Sequence, residues 1–97
     1  MKALSNTEIK ELLSAKFTQW SFNKTFITRK LQFKNFVEAF SFMTAIALEA
    51  EKINHHPDWC NVYNNVVFKL STHDANGVTK KDFDLATTID RIFNYYA

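Results

Sequence analysis

Residues 20–51 read WSFNKTFITRKLQFKNFVEAFSFMTAIALEAE, and the change of period within this stretch decides the fold. Trp20 to Phe22 and Phe26 to Phe33 flank Asn23-Lys24, and the second run sets Ile27, Leu31 and Phe33 against Thr28, Lys30 and Gln32. A period of two puts one apolar face on a strand, so the two runs predict a hairpin. Arg29 on the apolar side and Phe26 on the polar side interrupt the alternation. Asn35 and Glu38 then have capping spacing, and Phe36, Val37, Phe40, Met43, Ile46, Ala47 and Ala50 recur at helical intervals. This predicts a long amphipathic helix ending near Glu51.

The same two signals recur on either side. Ser5 with Glu8 has capping-box spacing and Leu4 with Ile9 that of a hydrophobic staple, so a first helix is predicted from about Asn6 to Lys16. Downstream, Asn61 to Tyr63 and Val66 to Ser71 bracket an Asn64-Asn65 turn and predict a second strand pair. Thr72 to Val78 reads as a loop around Asn76-Gly77. Thr79 with Asp82 opens a last helix whose buried stripe is Phe83, Ala86, Ile89, Phe93 and Tyr96. The order α-β-β-α-β-β-α implies an α+β fold, a four-stranded antiparallel sheet carrying three helices on one face.

Composition narrows the class. With 97 residues, no Pro/Gly/Ser-rich linker and no internal repeat, residues 1–97 are expected to form a single domain. The 46% hydrophobic content, with ten Phe, supplies a core, although a domain this small gains from association. The lone Cys60 excludes an internal disulfide and fits a reducing, cytoplasmic setting. The first residues lack the apolar segment of a secretory signal, and no run approaches the roughly 18 apolar residues of a membrane span. The formal charge of +2, with acids and bases interspersed, offers no basic face for direct nucleic-acid binding.

All three histidines follow the long helix, His55 and His56 in EKINHHPDW (residues 51–59) and His73 in STHD (residues 71–74). Both segments are predicted connections, where rigid scaffolds place functional groups. Histidine both donates and accepts a proton near neutral pH, so three of them in two loops suggest proton transfer. Pro57 disfavours the α region for His56 and holds it extended. In an extended segment neighbouring side chains point oppositely, so His55 and His56 are expected to have separate roles rather than to grip one metal ion together. Glu51, one helical turn before His55, is placed to orient an imidazole.

The strings EKINHHPDWCNVY, LSTHD and GVTKKD, with FxFMTxxALxAE on the long helix and DFDLA on the last, resemble the signature of the pterin-4a-carbinolamine dehydratases over roughly residues 20–90. The resemblance implies a hydro-lyase that removes water from 4a-hydroxytetrahydrobiopterin to give quinonoid dihydrobiopterin, in tetrahydrobiopterin recycling, with no metal and no redox cofactor. It assigns general acid/base work to His55 and His73, and substrate binding with proton transfer to His56. Glu51 and Asp82 match acidic positions that support the histidines. Pro57, Trp59, Thr72, Asp74 and Ala75 become candidate walls for the flat pterin. The resemblance further implies a homodimer or homotetramer built on sheet edges and helices, and a location that is cytoplasmic and compatible with nuclear presence.

Plainer readings stand beside these. Glu51 reads equally as a solvated helix-end carboxylate and Asp82 as the acid of a capping box. Trp59 reads as packing and Cys60 as inert. A non-catalytic module that stabilises a partner protein's dimer, as in a transcriptional coactivator, is the main alternative in function. A metal-dependent hydrolase is a third, formally supplied by three histidines and nearby carboxylates.

Overall fold

In the computed structural model, which describes residues 2–96, the alternating run Phe26–Gln32 is strand β2, an inner strand of a four-stranded sheet. Around it the chain runs α1 (Asn6–Lys16), β1 (Ser21–Asn23), β2, α2 (Phe36–Lys52), β3 (Asp58–Val62), β4 (Asn65–Leu70), a 3-10 turn (His73–Ala75) and α3 (Lys80–Phe93). The sheet order is β1-β2-β4-β3 and every neighbouring pair is antiparallel. This is the expected α-β-β-α-β-β-α order. Pairing β2 with β4 sets Ile27 opposite Leu70 and Leu31 opposite Val66. With Phe68 these residues are buried, and they share one core with Ile9, Phe42, Ile46, Leu85 and Ile89 of the helices.

The two residues that broke the alternation explain themselves. Arg29 does lie on the buried face, where its Nη1 donates to Asp90 Oδ1 at 2.6 Å and its guanidinium sits 5.2 Å from the Phe93 ring centroid. The indole N–H of Trp20 donates to the same carboxylate at 2.9 Å. A charge is tolerated there because it is paired and stacked. Phe26, on the open face, lies under the Lys69 ammonium at 5.5 Å.

Three details differ from the sequence expectation. The buried stripe of α2 is Ala39, Phe42, Ile46 and Ala50, whereas Phe36, Val37 and Phe40 are exposed. The helix is apolar on both sides, so its periodicity did not specify which side faces the sheet. Strand β3 begins directly after Pro57, three residues earlier than expected, and the hairpin turns at Tyr63-Asn64, with Tyr63 at φ 53°. Asn61 Nδ2 donates to the carbonyls of Tyr63 and Asn65 at 3.0 and 2.9 Å and so sews the turn one residue early. The first hairpin likewise turns at Lys24-Thr25, and Trp20 precedes its strand.

The expected caps form. Ser5 and Glu8 make a reciprocal capping box, Asn35 Oδ1 accepts from Glu38 N at 2.9 Å, and Thr79 with Asp82 makes a second box. Among the described residues no helix is long and apolar enough to cross a membrane.

Candidate active site

The end of α2 positions the first histidines. Asn54 takes the left-handed conformation at φ 53°, the Asn54 amide donates to Glu51 O at 3.2 Å and the His55 amide to Ala50 O at 3.1 Å. This is the paired bonding of a Schellman cap, which satisfies the last helical carbonyls and makes the His55 backbone part of the helix end. The chain turns so sharply that His55 does not stay above Glu51. Its imidazole instead reaches the start of α3, where Nε2 lies 2.6 Å from Asp82 Oδ1.

Asp82 is wholly buried, and both of its carboxylate oxygens are hydrogen-bonded. Oδ2 accepts from the Thr79 amide at 2.9 Å and from Thr72 Oγ1 at 2.9 Å, while Oδ1 faces His55. The Thr72 hydroxyl is thereby committed as a donor, so the hydroxyl of Thr79, 2.6 Å away, donates to it. Thr79 Oγ1 in turn accepts from the Lys81 amide at 3.2 Å. A carboxylate that accepts from a backbone N–H and a hydroxyl also accepts from His55, so Nε2 carries the hydrogen and Nδ1 is left with the lone pair. The same side chain that caps α3 thus sets the tautomer of a histidine 27 residues away.

His56 has a different partner. Its Nε2 lies 2.8 Å from Glu51 Oε1, with side chains 60% and 78% exposed, so this contact is a solvated one; the His55 and Asp82 side chains are 11% and 0% exposed. Glu51 therefore serves His56 and not His55, which corrects the one-turn spacing argument: the left-handed Asn54 breaks the helical phase between Glu51 and His55. His73 opens the 3-10 turn, held by the Asn76 amide donating to its carbonyl at 3.1 Å. The histidine hydrogen bonds among the described residues are those of His55 and His56, which leaves the His73 imidazole unpartnered.

The three histidines line one cleft of about 310 Å³ together with Asn54, Ser71, Thr72, Asp74 and Lys81. Glu51 and Asp82 stand outside its lining, each bonded to a histidine that forms it. Pro57, Trp59 and Ala75, read from the sequence as pterin walls, are not among its lining residues. Trp59 alternates onto the inner face of β3 and packs on Phe68 with ring centroids 5.5 Å apart. Asn54, Ser71 and Lys81 were not anticipated. An Asn just past a helix end is a signal for the left-handed cap position and identifies Asn54; nothing local marks Ser71 or Lys81. Among the described residues no group of three His, Cys, Asp or Glu side chains stands together as metal ligands would.

The model of the pterin 4 alpha carbinolamine dehydratase family matches residues 2–92. The chain belongs to this family. A relative from Prochlorococcus marinus subsp. pastoris that bears the family's name is 54% identical over 90 residues, covering 93% of each chain. Another, from Christiangramia forsetii, is 52% identical over 92 residues, covering 95% of this chain and 94% of its own. The crystal structure of a transcriptional coactivator/pterin dehydratase from Brucella melitensis superposes with a TM-score of 0.89 at 42% identity, covering 94% of this chain and 98% of that one. The family and the fold thus agree with the resemblance read from the histidine motifs.

Proposed function

We propose that this chain is an enzyme that dehydrates a 4a-hydroxytetrahydropterin to the quinonoid dihydropterin. The observation that carries the reading is the convergence of His55, His56 and His73 on one cleft, with His55 braced by buried Asp82. Dehydration moves two protons. One is added to the C4a hydroxyl, which leaves as water when the C4a–O bond breaks; the other leaves N5 as the C4a=N5 bond forms. An acid and a base held in place suffice, so the reading needs neither metal nor redox cofactor.

His55 suits the base, because its Nδ1 lone pair is free and the imidazolium it becomes is stabilised by the Asp82 carboxylate against Nε2. His73, unpartnered and exposed at the cleft, suits the donor to the leaving hydroxyl. His56, tethered loosely by Glu51, is assigned chiefly to ground-state contact with the pterin. Solvent exchanges the protons of the two catalytic rings after each turnover. The product is the form that a reductase would return to the tetrahydropterin, so we assign the activity to pterin recycling, with the lone free Cys60 in keeping with a reducing compartment such as the cytoplasm.

The test is stopped-flow absorbance of chemically generated 4a-hydroxytetrahydropterin. The protein should accelerate its decay above the spontaneous rate, before and after exhaustive chelation. Decay at the spontaneous rate would refute the dehydratase reading, and activity that returned only with added metal would refute its metal-free form.

A second reading, association with protein, is favoured by the free face of α2. Phe36, Val37, Phe40 and Leu48 are 47%, 74%, 53% and 63% exposed along one stripe opposite the buried one. An apolar stripe of this kind on a small domain marks an interaction site. Self-association through α2 into a homodimer or homotetramer accounts for it, and the same face is the surface a protein partner would use. The name of the Brucella melitensis protein, a transcriptional coactivator/pterin dehydratase, accords with both activities on one fold.

A further inference from the structure

His55 follows α2 and His73 follows β4, so neither segment alone sets the distance between base and acid. One side chain joins them. Thr72, the residue before His73, donates its hydroxyl to Asp82 Oδ2 at 2.9 Å, and the other oxygen of that carboxylate holds His55 Nε2 at 2.6 Å. We propose that Thr72 is a positioning residue for the dehydration, a joint that keeps the donor His73 in register with the base His55. The inference rests on the acid–base reading of the histidine cleft.

Such a joint must be rigid on both sides. Toward His73, the Thr72 amide donates to Gly77 O at 2.8 Å and the Gly77 amide returns to Thr72 O at 3.4 Å, which closes residues 72–77 into a loop. The Ala75 amide also donates to Thr72 O, at 3.1 Å, so the backbone of Thr72 is the base of the turn that carries His73. Behind the loop, the Leu4 amide donates to Val78 O at 2.8 Å and a Cβ on Gly77 would lie 3.2 Å from Ala3 Cβ. The N-terminal segment thus holds the far end of the loop. Toward His55, Asp82 has no exposure and lies in the first turn of α3.

The hydroxyl itself has little freedom. Thr72 is β-branched, which restricts its χ1. Thr79, also without exposure, donates to Thr72 Oγ1 at 2.6 Å and leaves the Thr72 hydrogen for Asp82. Among the described residues, this is the one hydrogen bond between residues 71–78 and the His55–Asp82 pair. Without it the His73 loop keeps its internal bonds and loses its register with His55. A misplacement of about 1 Å costs about a hundredfold in rate, so a drift of a fraction of that reads as about tenfold.

The test compares Thr72→Val, which keeps the branched shape without the hydroxyl, with Thr72→Ser, which keeps the hydroxyl. Stopped-flow dehydration gives kcat, and calorimetry with an unreactive 7,8-dihydropterin gives affinity. Thr72→Val should lower kcat about tenfold with affinity within about threefold of the parent, and Thr72→Ser should recover most of the loss. The decisive measurement repeats Thr72→Val in a His55→Ala background. With no base left to align, the further loss should shrink to under about twofold, whereas a general structural defect would cost the same factor in both backgrounds. Thr72→Val strands the buried Thr79 hydroxyl; if it fails to fold, Thr72→Val/Thr79→Val, which removes both hydroxyls together, carries the same comparison. Parental kcat without the hydroxyl would overturn the proposal. So would equal losses in the two backgrounds, a serine variant as slow as the valine, or a loss of affinity larger than the loss of kcat. A parent that fails to accelerate dehydration removes the dehydratase reading and the joint with it; a parent and Thr72→Val that are equally fast remove the joint alone.

Discussion

Asp82 is asked to do two things at once, and two substitutions separate them. Asp82→Ala strips the acceptor from the Thr79 amide, the Thr72 hydroxyl and His55 Nε2 in a site with no exposure. Each unsatisfied buried donor costs about 1–3 kcal/mol, and partial relaxation brings the sum to about 3–5 kcal/mol, the range for removing one partner of a buried pair. That is a large share of the roughly 5–15 kcal/mol that holds a domain of this kind. The thermal midpoint should fall by at least about 12 °C at 4–8 °C per kcal/mol. Asp82→Asn keeps an oxygen for Thr79 and Thr72 and turns an amide N–H₂ toward His55. Its stability cost is about 1–2 kcal/mol, the difference between charge-assisted and neutral hydrogen bonds. The imidazole must then accept at Nε2 and carry its hydrogen on Nδ1, so the base is lost and turnover should drop about a hundredfold or more. Circular dichroism melts and stopped-flow dehydration measure the two effects. Parental turnover in Asp82→Asn would refute the tautomer argument, and a loss below about 1 kcal/mol in Asp82→Ala would refute the burial argument.

Further outcomes are expected. The His55→Ala/His73→Ala double variant should bind pterin, seen by fluorescence quenching, yet dehydrate no faster than solvent, whereas His56→Ala should raise KM more than it lowers kcat; a folded double variant with parental turnover would dismiss the pair as acid and base. Phe42 has no exposed surface and meets Phe68, Phe93 and Tyr96 edge-on at centroid distances of 6.2, 6.1 and 5.7 Å. Phe42→Ala should therefore cost about 3–5 kcal/mol in denaturant unfolding, and a loss under about 1 kcal/mol would contradict its place at the centre of the core. Phe40→Glu, on the exposed side of α2, should lower the mass seen by analytical ultracentrifugation; an unchanged mass would mean that this face is not the contact between copies.

Much of the molecule is legible in one dimension, because periodicity and capping depend on near neighbours. Ser5 with Glu8 and Thr79 with Asp82 name helix starts through bonds that span three residues. Ile27, Leu31 and Phe33 name a buried face by alternation. The histidine motifs point to the family in the same way, since their spacing is a property of the chain.

What the tertiary structure decided are the choices that local pattern leaves degenerate. Helix α2 is apolar on two sides, and only docking against the sheet buries Phe42 and leaves Phe40 free. Trp59 suits either a pocket or a core, and the pairing of β3 with β4 lays it beside Phe68. Glu51 stands one turn from His55, yet the left-handed Asn54 hands it His56 instead. Arg29 violates a strand pattern until Asp90, 61 residues on, meets it across the core. Asp82 reads as a cap because the Thr79 amide is three residues away; its bond to His55 crosses from one helix end to another helix start. Such partners are set by how rigid elements pack, and distance along the chain carries no record of that.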